Sequence, residues 1–230
     1  MSTPPRIHAL LAQPMSGAEI EARSFAIIDA ERPAADGFSP EQWEIVRRMI
    51  HACGDLSLGP AVRFSAGAIA AGVEALRRGA PLYVDSNMIR AGLSLARLQS
   101  AWPGYGPDGI HCHVADLEVA AEAERNGLPR SLFALRTARA ALAGGIAVFG
   151  NAPVALLELN RLIVEEGVQP ALVLAMPVGF VHVVESKEEL MGLGVPFVTT
   201  SGRRGGSTLA VAALHAFCTL AAHQSTKEGR

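Results

Sequence analysis

The sequence predicts a single α/β domain built on a mostly parallel sheet, and three observations carry the prediction. Short apolar segments alternate with helical ones through the C-terminal two thirds of the chain, the pattern of right-handed strand–helix–strand crossovers. The 230 residues are 50% hydrophobic but only 5% aromatic. The core must therefore be Ala, Leu, Val and Ile, as in sheets buried on both faces. Loops bearing glycine and proline follow several strands, where open parallel sheets bind ligands.

Taken in order, residues 1–15 hold three prolines and little periodicity and read as a flexible arm. Ser16 and Glu19 form a capping box for a helix carrying Ile20, Ser24, Phe25, Ile27 and Ile28. Arg32-Pro33 ends that helix, and Asp36-Gly37 turns the chain. Ser39 caps a second helix, Pro40 opens it, and Gly54 stops it after Cys53. Ser65 caps a third, to about Arg78. Five strands follow, at 81–85, 110–115, 146–149, 171–175 and 195–199, in a doubly wound sheet. Helices are expected at 87–98, 117–125, 130–143, from Pro153 to Glu166, at 185–191 and from Ser207 to about Ala222. The first three helices are an addition to this sheet. The domain spans 16–222, and 223–230 is a C-terminal tail.

Composition excludes several classes of function. A net charge of -2 gives no footing for nucleic acid or an anionic membrane. No apolar run reaches bilayer-spanning length, and the N-terminus does not read as a signal peptide. Cys53, Cys112 and Cys218 are odd in number and far apart, giving neither a disulfide framework nor a zinc pattern, so the expected setting is reducing and cytoplasmic. His111 and His113 share a strand face but have no third ligand nearby in sequence, and no metal site is predicted. Lysine occurs only at positions 187 and 227. Arginine therefore supplies nearly all the positive charge, and arginine forks carboxylates in a way lysine does not.

The stretch Arg47-Arg48-Met49-Ile50-His51-Ala52-Cys53-Gly54 carries the chemistry. On a helix Arg47, Arg48 and His51 reach one surface. Histidine beside fixed cations suits proton transfer to an anionic ligand; from these eight residues alone the better reading is a histidine in the last turn that meets the helix dipole. Of the loops after strands, Gly150-Asn151-Ala152-Pro153 places a glycine and an amide at a helix start, where free N–H groups hold anions. Gly202-Arg203-Arg204-Gly205-Gly206-Ser207 joins glycines to two fixed charges. It is not a Walker loop, since no lysine precedes Ser207.

Several stretches then agree in order. They are Ser24-Phe25-Ala26-Ile27-Ile28, Arg48-Met49-Ile50-His51-Ala52-Cys53-Gly54, Arg63-Phe64-Ser65, Gly150-Asn151-Ala152-Pro153, Met176-Pro177-Val178-Gly179-Phe180-Val181, Glu185-Ser186-Lys187-Glu188 and Gly202-Arg203-Arg204-Gly205-Gly206-Ser207. Together they resemble the precorrin-8X methylmutase (precorrin isomerase) family, from about Ala18 to Phe217. The resemblance implies a flavodoxin-like, three-layer α/β/α homodimer without a cofactor. It implies movement of a methyl group from C11 to C12 of a corrin-ring precursor, precorrin-8X or cobalt-precorrin-8, in cobalamin biosynthesis. His51 matches the family's catalytic histidine, and Ser24 and Arg48 its substrate-binding serine and arginine. Ser94, Arg130, Asn151, Arg203 and Arg204 complete the expected substrate-binding set. Leu128-Pro129-Arg130-Ser131 stands where the family often has Asn-Thr-Arg-Ser, and Ser94-Leu95-Ala96-Arg97-Leu98 where it often has Thr-Arg-Ala-Arg-Leu. The alternative is a corrinoid-binding or carrier protein that converts nothing.

Overall fold

The computed structural model describes residues 5–33 and 37–228, with side chains described through residue 223. The expected turn at Asp36-Gly37 lies partly outside these residues.

The N-terminal elements follow their caps. A short helix, α1 (Ile7–Ala12), buries no side chain and lies where the sequence suggests a loose arm. Helix α2 (Gly17–Ala30) opens on the expected capping box, with Ser16 Oγ accepting from the Glu19 N–H and the Glu19 carboxylate accepting from the Ser16 N–H. Helix α3 (Pro40–Cys53) repeats the device with Ser39 and Gln42. It ends at Gly54, whose φ of 65° is the left-handed conformation that only glycine adopts without strain. Trp43, Val46, Met49 and Ile50 form its buried side.

The sheet has six strands, not the five expected. They are β1 (Val62–Phe64), β2 (Leu82–Val84), β3 (Ile110–His111), β4 (Ile146–Phe149), β5 (Leu172–Ala175) and β6 (Phe197–Thr200), in the order β1-β6-β5-β4-β2-β3. The strands from β2 to β6 are the predicted ones, and they pair in parallel. The addition is β1, an antiparallel edge that sets Val62 opposite Thr200 and Phe64 opposite Val198. Three residues are too few to show strand alternation. Ser65 extends this edge instead of capping a helix: its N–H donates to the Phe197 carbonyl at 3.0 Å, and its Oγ accepts from the Phe197 N–H at 2.8 Å. The helix it was expected to cap, α4 (Ala68–Arg77), begins after Gly67.

Other helices differ in detail. The segment 87–98 divides into α5 (Asn87–Gly92) and α6 (Leu95–Ala101), because Leu93 and Ser94 are extended and Ser94 Oγ caps a new start at Arg97 N–H. The segment 130–143 divides into α8 (Arg130–Thr137) and α9 (Arg139–Leu142), after α7 (Leu117–Asn126). Helices α10 (Pro153–Glu166) and α11 (Val183–Met191) lie where expected. The last helix, α12 (Ser207–Glu228), continues through the segment expected to be a tail.

Strand alternation divides the core. Leu82, Val84, Val148, Leu172 and Leu174 face one cluster with residues of α3, α4 and α12. Tyr83, Ala147, Phe149, Val173 and Phe197 face a second with α10. No helix of the described residues is long and apolar enough to cross a membrane.

The winding reverses between β2 and β4. From β2 the chain passes outward to β3, while from β4 it passes the other way through β5 to β6. Such a reversal opens a crevice beyond the strand ends. Asp85, directly after β2, bridges it: its Oδ2 accepts from the N–H groups of Gly150 (3.1 Å), Asn151 (2.8 Å) and Ala152 (2.7 Å), directly after β4. Burial pushes the Asp85 carboxyl above its ordinary range, and the three N–H bonds oppose that shift. Gly150 is required at this contact, because a Cβ there would stand 2.6 Å from Ser207 Cα.

Candidate functional site

Beside this crevice lies a cavity of about 380 Å³, framed by α2, α3, α5, α6 and α12. The C-terminal half of α3 contributes Arg48, His51 and Ala52, Met88 and Gly92 come from α5, and α12 lends a whole flank from Ser207 to His215. The wall therefore begins at a helix N-terminus, the positive end of its dipole. Ser207 is also bonded to the crevice, its hydroxyl 3.2 Å from that of Ser86.

Charge is concentrated on one side. Arg48 is only 8% exposed, and its guanidinium donates to Glu21 Oε1 at 3.0 Å. Arg97 reaches the same oxygen at 3.4 Å. Burial pushes the Glu21 carboxyl up, but Arg48, Arg97 and His51 outweigh it and hold its pKa below the ordinary value. The Phe25 ring packs edge-on to His51 at 5.2 Å between centroids, and Arg47 and Arg48 lie over the same ring. His51 is exposed at the end of α3, so its imidazole is open to a ligand. His215, deeper on α12, is largely buried; its Nε2 accepts the Ser94 N–H at 3.0 Å. Burial first, then Arg97 and Arg48, pull its pKa down to about 4 against the opposing charge of Glu21. It is neutral at pH 7.

The structure brings together some of the expected residues and separates others. Arg48 and His51 line the cavity, and Ser94 touches it through His215. Arg47 shares the Phe25 ring with Arg48 but is not part of the lining, and it pairs with Asp29 and Glu44. Ser24 sits one turn beyond Glu21 with its hydroxyl donating to the Ile20 carbonyl, and it is not part of the lining. Asn151 is exposed beside the crevice. Arg203 and Arg204 line a neighbouring hollow of about 320 Å³ with Cys53, Asp55 and Leu209. Arg204 pairs there with Asp55, and Arg203 lies over the Phe180 ring. Arg130 borders a different groove, at the α7–α8 junction.

Buried Lys187 fixes the arginine loop from below: its Nζ donates to Thr200 Oγ1 (3.1 Å), the Gly202 carbonyl (3.0 Å) and the Arg204 carbonyl (2.6 Å). The residues that sequence reasoning missed are Glu21, Arg97 and His215. Glu21 and Arg97 are 76 positions apart, and no spacing rule joins them. His215 lies within an alanine- and leucine-rich helix, where a packing role is the natural reading. His111 and His113 stand 6.2 Å apart between ring centroids, with His113 bonded to Asp116. No group of three potential metal ligands occurs among the described residues.

A mostly parallel sheet whose winding reverses, with an arginine- and histidine-lined cavity beside the reversal, is the arrangement of an α/β protein with a small-molecule site. The family model described as precorrin-8X methylmutase matches residues 19–220. The chain belongs to that family, which makes it an isomerase of the methylmutase kind. It is 43% identical over 211 residues to a cobalt-precorrin-8 methylmutase of Priestia megaterium, covering 92% of this chain and 91% of that one. It is 40% identical to a precorrin-8X methylmutase of Pseudomonas aeruginosa, covering 88% and 95%. A solved precorrin-8X methylmutase from Thermus thermophilus superimposes with a TM-score of 0.82 at 44% identity, covering 90% of this chain and 98% of that one.

Proposed function

We propose that this protein shifts a methyl group from C11 to C12 of a precorrin-8X-type tetrapyrrole in cobalamin biosynthesis, with His51 as proton donor. The observation that carries the reading is the pairing of an exposed His51 with a buried Arg48 in one cavity, in a chain whose relatives are named for that reaction. Protonation of the conjugated ring by His51 makes it electron-poor and lowers the barrier to migration. The methyl group moves to the neighbouring carbon with its bonding pair. Release of a ring proton to the imidazole then restores both partners, so no atom is gained or lost. Arg48 and Arg97 hold carboxylates of the substrate's fringe, and Met88, Ala52 and Val211 form an apolar wall against the macrocycle. Orientation and a fixed electrostatic field supply the rest of the catalysis.

This reading includes a cytoplasmic homodimer with one domain over residues 16–222. The flavodoxin-like layering implied by the resemblance belongs to it, and helices packed on both sheet faces support it. Exposed Leu117, Phe180 and Val181 favour a covered surface, and light scattering should give twice the 24.1 kDa of one chain; a monomer at micromolar concentration would count against it. The test of function is to mix the purified protein with the ring precursor and follow its absorption. Conversion supports the reading. Binding without conversion supports the carrier alternative, and an unchanged spectrum refutes both.

A further inference from the structure

We propose that His215 is a neutral hydrogen-bond donor with a fixed tautomer, which positions the substrate in the His51 cavity through its Nδ1–H. The inference rests on the reading of that cavity as the substrate cleft. Ser94 sets the tautomer of the ring. As the cap of α6 its backbone N–H lies outside the helical ladder and needs an acceptor, and His215 Nε2 is that acceptor at 3.0 Å. An amide N–H only donates, so Nε2 must present its lone pair. A neutral ring with a free Nε2 carries its proton on Nδ1. Protonating Nε2 would set two donors against each other and leave the Ser94 N–H unpaired.

The surroundings hold the ring in that state. Arg97 on α6 and Arg48 on α3 oppose a second positive charge, while Glu21 on α2 favours one but is already bonded to both arginines. His51, the other titratable group of the lining, also lies on α3. With burial added, the pKa of about 4 leaves His215 uncharged throughout the neutral range. The ring lines the cavity, and no hydrogen-bond partner of Nδ1 occurs among the described residues. Its N–H is therefore an uncommitted donor beside the apolar wall of α12, suited to an acceptor oxygen on the substrate's carboxylate fringe. The cavity thus holds two histidines with different duties: His51 moves a proton, and His215 keeps one.

The experiment uses the full chain labelled with ¹⁵N at histidine. Two-bond ¹H–¹⁵N correlations report the tautomer of each ring, and the spectrum of His215→Asn assigns the His215 signals. The expected result is a neutral Nδ1–H ring from pH 5.5 to 8, whose Nδ1 signal moves when the methyl-shifted ring product is added. An Nε2–H tautomer, or a doubly protonated ring at pH 6.5, overturns the inference. Product that moves the His51 signals and leaves His215 silent overturns this inference alone, whereas product that moves neither overturns the cleft reading as well. In kinetics, His215→Leu should raise KM by roughly 3–10-fold with little change in kcat, the mark of a lost uniform hydrogen bond. His215→Asn, which can accept from Ser94 and still donate, should recover part of that loss; a kcat defect with KM unchanged would contradict the role.

Discussion

Asp85 is the residue through which fold and site are joined, and its removal has a calculable consequence. One of its oxygens accepts three N–H groups at 2.7 to 3.1 Å, in a side chain 1% exposed, while the other has no partner among the described residues. Asp85→Ala takes the acceptor from three N–H groups, those of Gly150 and Ala152 buried and that of Asn151 part-buried. At roughly 1–3 kcal/mol each, partly offset by loss of the buried carboxylate, the net cost is about 3–6 kcal/mol. That is a large share of a domain stability of roughly 5–15 kcal/mol. Asp85→Asn keeps an acceptor oxygen and places its amide where the unpartnered oxygen was, so only the charge contribution is lost, about 1–2 kcal/mol. Urea unfolding reads both. With a slope of roughly 2–3 kcal/mol/M the Asn variant should move its midpoint down by about 0.5 M, and the Ala variant by more than about 1 M. The Gly150 loop packs on Ser207, which lines the cavity, so the Asn variant should also raise KM. Equal stability of wild type and both variants, within about 0.5 kcal/mol, would refute the assignment of Asp85 as the clamp of the crevice.

Other outcomes follow from the same geometry. Lys187→Met fills the space but takes the donor from the Gly202 carbonyl, while the Thr200 hydroxyl still donates to the Arg204 carbonyl; it should cost about 1–3 kcal/mol in urea unfolding, and a neutral result would remove Lys187 as the support of the loop. Replacing Arg203 and Arg204 together by Ala should weaken ring binding in a titration while leaving the urea midpoint near that of wild type, since the Arg204–Asp55 pair is exposed; unchanged affinity would give the loop a purely structural role. The folded pKa of His215 is about 4, below its ordinary value, so on acidification the unfolded chain gains a proton that the folded chain refuses. Stability present above about pH 6.5 is lost as pH falls toward 4, by about 1–3 kcal/mol after solvent screening. His215→Asn should lack that part of the acid limb, and an identical pH profile in both proteins would contradict it.

The sequence made the strands legible because apolar runs such as Ile146–Phe149 and Leu172–Ala175 are buried on both faces and bounded by glycine or proline. The caps at Ser16 and Ser39 were equally readable, since capping boxes are local. Edge strand β1 was not, because Val62–Phe64 takes its conformation from β6 and not from its own pattern. The same edge draws Ser65 away from its expected cap. In the site, Arg48 and His51 were visible as neighbours one turn apart on a helix. Arg47 misled, because Asp29 claims it from α2, a packing contact that no helical wheel shows, and Glu44, one turn before it on α3, holds it there. Glu21, Arg97 and His215 meet only after α2, α6 and α12 have packed.

The central claim is that His51 supplies the proton while its neighbours bind the ring. The most direct test is a single-turnover measurement of ring conversion by His51→Asn, with affinity for the ring measured on the same protein. Affinity should stay close to wild type, because Arg48, Arg97 and the apolar wall remain, and the conversion rate should fall by roughly 10²–10⁴-fold, the usual contribution of a positioned acid. Conversion at the wild-type rate would contradict the claim and remove His51 from the mechanism.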